Sequence, residues 1–175
     1  MPLSWNDIRD RATAFAKEWS KETAERAESQ TFWNEFFAIF GISRRRVASF
    51  DRPTIKATGT TGFNDLFWKG MLIAEHKSRG ADLDKAYHQA LDYFRGLKER
   101  DLPRWVVVTD FARFRLYDLD TNEKHEFSLS ELPKHIKRFG FIAGYQVQAI
   151  REQDPVNVDA AERMGVLHDL LKASG

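Results

Sequence analysis

Residues 65–77 read Asp-Leu-Phe-Trp-Lys-Gly-Met-Leu-Ile-Ala-Glu-His-Lys, two apolar runs that meet at Lys69-Gly70. Runs of this length, broken by a glycine, predict a β-hairpin with arms Phe63–Trp68 and Met71–Lys77. Facing residues in a hairpin have numbers of constant sum. A turn centred on Gly70 sets that sum at 140 and places Asp65 opposite Glu75, with Cβ atoms about 5 Å apart. The register needs a three-residue loop or a bulge, which glycine suits. Glu75 and Lys77 are two apart in a strand and share a face. Two carboxylates and an ammonium therefore converge in otherwise apolar strand sequence, where unpaired charge is expensive.

Carboxylates held that close repel one another. A hard divalent cation relieves the repulsion, and Mg²⁺ takes oxygen ligands while keeping waters that substrate phosphates can replace. Lys77 would orient the attacking water and steady charge developing on phosphorus. Metal, carboxylates and lysine together are the parts of a phosphodiester hydrolase. Spacing alone fits a second reading equally well, a hairpin edge on which Asp65, Glu75 and Lys77 are simply solvated. His76 points away from the Glu75/Lys77 face and would offer a cation only its backbone carbonyl.

Around the hairpin the pattern is mixed. Ser4 with Asp7 forms a capping box, and Trp5, Ile8, Ala12, Phe15, Ala16 and Trp19 follow at helical spacing. A second helix is predicted from Thr23 to Phe40, stopped by Gly41, with Phe32, Trp33, Phe36, Phe37 and Phe40 as core. Arg45–Phe50 predicts a first strand, and Thr58–Gly62 a loop. Asp82 would cap a helix over Leu83–Leu97. Further strands are expected at Arg104–Thr109, Arg113–Tyr117 and Lys124–Phe127. Glu131–Phe139 predicts a short helix, Tyr145–Ile150 an extended piece, and Val158–Ala173 a last helix. The order implies one mixed α/β (α+β) domain with a central sheet flanked by helices. Its expected parts are N-terminal helices over 1–41, a sheet core over 42–128 and a helical segment over 129–175.

Composition narrows the function. The chain has 175 residues, 42% of them apolar and 13% aromatic, enough to bury a core and too aromatic for disorder. Cysteine is absent, so thiolate zinc sites, disulfides and cysteine nucleophiles are excluded. The five histidines lack metal-ligand spacing, and neither a P-loop nor a Ser-His-Asp arrangement is present. No apolar run spans a bilayer, which with the missing cysteine points to the cytoplasm. A net charge of +1 restricts phosphate contact to local clusters. The densest is Arg44, Arg45 and Arg46 with Arg52 and Lys56, and Arg79 follows the hairpin directly.

Asp65 followed by Glu75-x-Lys77 resembles the D-x(n)-E-x-K signature of the PD-(D/E)xK nuclease superfamily. Gln89-Ala-Leu-Asp-Tyr93 resembles the Q-x-x-x-Y element of RecB-like members, two side chains on one helical face. The stretches Thr31-Phe-Trp-Asn-Glu-Phe-Phe, Phe40-Gly-Ile-Ser-Arg-Arg-Arg-Val, Glu75-His-Lys-Ser-Arg-Gly and Thr109-Asp-Phe-Ala-Arg-Phe are similar to the amino-terminal nuclease region of MmeI-like Type IIL restriction–modification proteins.

That resemblance implies a restriction-endonuclease-like core and a prokaryotic, cytoplasmic endonuclease acting on double-stranded DNA with Mg²⁺, for which Mn²⁺ would substitute. It implies metal ligation by Asp65, Glu75 and the His76 carbonyl, with Lys77 positioning water and Gln89 and Tyr93 in a second tier. Arg44, Arg45, Arg46 and Arg79 would contact DNA, and Gln30, Asn34 or Glu35 would assist from the preceding helix. The family's methyltransferase motif and AdoMet loop are missing from this chain. Methyltransferase and target-recognition parts would then act in cis or in trans, and double-strand cleavage would call for a dimer or two successive cuts. A different class of function, a catalytically silent docking module for a methyltransferase, fits the same family.

Overall fold

Six strands pair in the order in which the chain makes them, β1 (Ser49–Ile55), β2 (Thr61–Trp68), β3 (Leu72–His76), β4 (Trp105–Thr109), β5 (Arg113–Asp118) and β6 (Glu123–Ser128). The computed structural model describes residues 2–22 and 25–144. Every ladder is antiparallel except β3–β4. That parallel pair needs a crossover, which α3 (Leu83–Asp92) supplies. The fold is mixed α/β, as the element order implies.

Two layers of helix cover the sheet because its central strands, β3 and β4, are apolar on both faces. Ser4 accepts the Asp7 N–H at 3.1 Å and starts α1 (Trp5–Trp19), which buries Ile8, Ala12, Phe15, Ala16 and Trp19. Trp5, expected on that stripe, is 38% exposed and lies under the Lys137 ammonium. The second helix, α2 (Glu25–Ile39), brings Phe32, Trp33, Phe36 and Phe37 to the same cluster, and Gly41 ends the segment at φ +71°. This larger core receives Leu66, Leu72, Ala74 and Val107 from one face of the sheet. The smaller core under α3 receives Phe67, Ile73, Val106 and Val108 from the other, packed on Leu83, Ala86, Ala90 and Tyr93.

Four expectations need correction. Residues 44–46 form a 3₁₀ turn, and the first strand starts at Ser49 instead of Arg45. It contains Pro53, which an edge strand tolerates because its missing N–H faces no partner. The Thr58–Gly62 loop is shorter than expected, since Thr61 and Gly62 already belong to β2. Helix α3 stops at Asp92, and Phe94–Gly96 continues as 3₁₀, not as the longer helix to Leu97. The short helix expected at 131–139 is α4 (Leu132–His135) between two 3₁₀ turns. The pieces expected at Tyr145–Ile150 and Val158–Ala173 lie outside the described residues.

Candidate active site

Alternation along β3 separates structure from chemistry. Leu72, Ala74 and His76 project into the aromatic core under α1 and α2, whereas Ile73 and Glu75 project toward α3. The β2–β3 register is Leu66 to Ala74, Phe67 to Ile73 and Trp68 to Leu72. Each pair sums to 140, so Asp65 falls level with Glu75. The β2–β3 ladder ends at Leu66–Ala74, and beyond it Asp65 takes over as acceptor: its Oδ2 receives the His76 N–H at 2.6 Å. The carboxylate is thereby fixed across the mouth of the hairpin.

Glu75 is 1% exposed. Burial, and then the neighbouring Asp65 charge, push its carboxyl up to about 9, while Lys77 and Lys56 oppose the rise. Near neutral pH Glu75 holds a proton and hydrogen-bonds Asp65. Lys77 Nζ lies 3.8 Å from Glu75 Oε2, and the Lys77 N–H donates to the Thr109 carbonyl at 2.8 Å. Glu75 Oε1 is buried with no hydrogen-bond partner among the described residues. An orphaned oxygen of this kind is costly unless something absent here satisfies it.

Gln89 and Tyr93 sit on the α3 face that covers this pair. Tyr93 is buried and hydrogen-bonds Gln89; burial first, and then the nearby Glu75 and Asp65 carboxyls, raise its phenol to about 12. It is a neutral hydroxyl at any ordinary pH.

Other sequence-predicted residues are engaged elsewhere. The His76 ring is buried against Phe32 at 4.8 Å and Phe111 at 4.1 Å, and desolvation lowers its pKa to about 3. Arg44 donates to Asn34 Oδ1 at 2.9 Å and to the Ala48 carbonyl at 2.8 Å, and stacks on Phe50. Arg79 donates to the Ser20 and Glu22 carbonyls, both at 3.1 Å, tying the loop after β3 to the end of α1. Glu35 accepts the Trp19 indole N–H at 2.7 Å. Asn34 and Glu35 lie on the helix layer opposite the carboxylate pair, and Gln30 is exposed on the same helix. Arg45 and Arg46 are exposed, and the Arg52 side chain is outside the described atoms.

Sequence reasoning missed a bracing network. Asp110 is 1% exposed, and its Oδ2 accepts the Gly80 N–H at 2.9 Å and the Arg113 guanidinium at 2.9 Å. Arg113 also reaches the Ala81 carbonyl at 2.9 Å. Between them Phe111 adopts φ +69°, a conformation unusual for a bulky residue, held by stacking on Trp19. The network clamps the segment that follows Lys77. The Asp-x-x-Arg spacing in Thr109-Asp-Phe-Ala-Arg-Phe was its visible signal.

A mixed sheet carrying a largely buried acidic pair and a lysine beside the parallel β3–β4 junction defines a domain with a polar site on an apolar scaffold. The family model of the MmeI N-terminal domain matches residues 10–174, and the chain belongs to that family. The MmeI-like resemblance read from the motifs is therefore correct. A relative is DNA methyltransferase A of Bacillus subtilis (strain 168), 22% identical over 151 residues, which cover 86% of this chain and 17% of that protein. A DrdV–DNA complex solved by cryo-electron microscopy aligns with 75% of this chain and 13% of its own, at 14% identity and TM-score 0.41. The chain thus spans under a fifth of the length of both. Among the described residues, no helix is long and apolar enough to cross a membrane.

Proposed function

We propose that this domain is the DNA-cleaving module of a restriction–modification protein, a Mg²⁺-dependent endonuclease of PD-(D/E)xK type acting on double-stranded DNA. The observation that carries the reading is half-buried Asp65 on β2 beside buried Glu75 on β3, with Lys77 3.8 Å from Glu75. The donor set suits a hard cation. Asp65 and Glu75 supply oxygen, and Glu75 has a buried oxygen lacking a partner. Among the described residues no group of three or more His, Cys, Asp or Glu is poised around one point. Two carboxylates with carbonyl and water completing the shell is the usual manner of Mg²⁺. When bound, the ion would neutralise phosphate charge and lower the pKa of a water.

The chain's own residues do the rest. Asp65 and Glu75 would hold the cation, with the Glu75 proton released to solvent. Lys77 faces the same point and positions a water near the scissile phosphorus. Tyr93 and Gln89 present neutral donors to phosphate oxygens from α3. Arg45 and Arg46, exposed on the turn before β1, contact backbone phosphates. Nicking of supercoiled plasmid by the purified chain in Mg²⁺, absent in chelator, is the expected result. Binding without nicking, together with retention by a separately produced methyltransferase part, would favour the docking reading, which the name of the Bacillus subtilis relative keeps in view.

Lys77→Ala is expected to lower the nicking rate by on the order of a hundredfold, the scale of removing one positioned transition-state contact. Mg²⁺ binding should persist, because an ammonium cannot ligate a cation. Calorimetry in which the ion's heat vanishes with Lys77 would contradict this role.

Arg45→Ala with Arg46→Ala should flatten the salt dependence of duplex binding by about 0.9 in log–log slope per lost phosphate contact. Adding Arg44→Ala should contribute little further, since its guanidinium is already committed to Asn34 and Ala48. Anisotropy on two unrelated duplexes reads both effects. Strong preference for one duplex would mean the domain reads bases itself.

A further inference from the structure

Lys56 follows the last residue of β1, in a basic run well before the hairpin in sequence. Pairing of β1 with β2 changes its address. The Lys56 N–H donates to the Thr60 carbonyl at 2.8 Å, and the Ala57 N–H donates to the Asp92 carbonyl at 3.1 Å. The turn is thus stitched both to itself and to the end of α3. From this anchor the lysine side chain crosses β2 at Gly62. A Cβ added there would lie 2.2 Å from Lys56 Cε and 2.9 Å from Tyr93 Cε1, so residue 62 must lack a side chain for the crossing to exist. The ammonium comes to rest 5.7 Å from the centroid of the Tyr93 ring.

Two cations therefore flank the acidic pair from different strands. Lys77 lies 3.8 Å from Glu75 Oε2, whereas Lys56 rests on the Tyr93 ring, a weak hold for a cation. Its charge is nonetheless felt at Glu75, where it favours the ionised form. Lysine is a compact point charge with three rotatable donors, suited to a phosphate oxygen that arrives from solvent. Lys56 is half-buried, with its stem packed and its head beside the site.

We propose that Lys56 is a substrate-binding cation of this site, resting on Tyr93 in the free domain and taking a non-bridging oxygen of the DNA phosphate that faces Asp65 and Glu75. The proposal rests on the nuclease reading above and adds a residue to it. It assigns the two lysines separate duties, Lys77 to the water and Lys56 to the phosphate. It also explains Gly62 as a passage for the lysine stem.

The test uses the whole 175-residue chain, with Lys56→Gln and Lys56→Arg. In chelator, anisotropy on a labelled duplex across a salt series should show the log–log slope reduced by about 0.9 in Lys56→Gln and unchanged in Lys56→Arg. Calorimetric Mg²⁺ affinity should rise several-fold in Lys56→Gln, because a competing cation has gone, while its nicking falls tenfold or more. An unchanged slope in Lys56→Gln overturns the proposal. Equal loss in both variants also overturns it, since that marks packing on Tyr93 rather than charge. Failure of wild type to bind Mg²⁺ or nick DNA would sink the nuclease reading, yet the metal-free slopes would still decide whether Lys56 holds a phosphate.

Discussion

Asp65→Ala and Glu75→Gln are each expected to reduce Mg²⁺-dependent nicking to background while leaving a folded chain. Neither residue is a keystone of the core. Glu75 is buried at a cost, and a neutral amide of the same size keeps its neutral shape while removing the ionised form that burial and Asp65 disfavour. Asp65 does hold the His76 N–H, so its loss frees one backbone donor at the end of a ladder. The diagnostic is how the ion affects melting. A ligand at a hundredfold excess over its Kd stabilises a protein by about 2.7 kcal/mol. Wild type should show a Mg²⁺-induced rise in Tm that both variants lack. If Asp65→Ala gains as much from the ion as wild type does, the cation sits elsewhere.

The second large effect is on stability against pH in chelator. Glu75 titrates at about 9 in the folded chain and near 4.5 when unfolded. Its folded pKa is raised, so its contribution is complete below 4.5 and is lost as pH climbs toward 9. His76 acts in the opposite sense. Its folded pKa of about 3 lies below its ordinary 6.5, so it removes stability as pH falls through that range. Between 4.5 and 6.5 the two slopes oppose one another. From 6.5 to 9 Glu75 acts alone, and stability should fall by up to about 1.4 kcal/mol per pH unit. Urea unfolding at pH 6.5, 7.5 and 8.5 measures this, and Glu75→Gln should flatten it. Mg²⁺ should restore stability on the alkaline side, since the ion replaces the proton. Parallel pH profiles for wild type and Glu75→Gln would refute the assignment.

The hairpin register was legible because Gly70 and two apolar runs leave few pairings, and a slip of one residue would turn Asp65 to the wrong face. Helix α1 was legible from its capping box, and β4 from its unbroken Trp-Val-Val-Val run. What escaped depended on contacts distant in sequence. Nothing local in Arg79 reveals that carbonyls at the end of α1 will claim it. Lys56 reads as one more basic residue until β1 folds back on β2 and carries it to Tyr93. The start of β1 was misplaced because three arginines at 44–46 show no alternation. The strand also runs on to Ile55, through Pro53, which its edge position permits.

The order of the strands also bears on how the chain reaches this arrangement. The first three strands form one meander and the last three another, each closed by short turns and formed from neighbouring residues. Only β3–β4 joins them, across the connection that contains α3, so it bears the longest loop closure between adjacent strands. Asp65 and Glu75 both belong to the first meander, so their juxtaposition depends only on pairings local in sequence. The backbone bond from Lys77 to Thr109 spans the two halves and waits for their docking. The acidic pair is thus built by cheap local closures. Helix α3, which covers the pair, and Thr109, which holds the Lys77 backbone, lie beyond that meander, so the complete site depends on the long-range β3–β4 pairing.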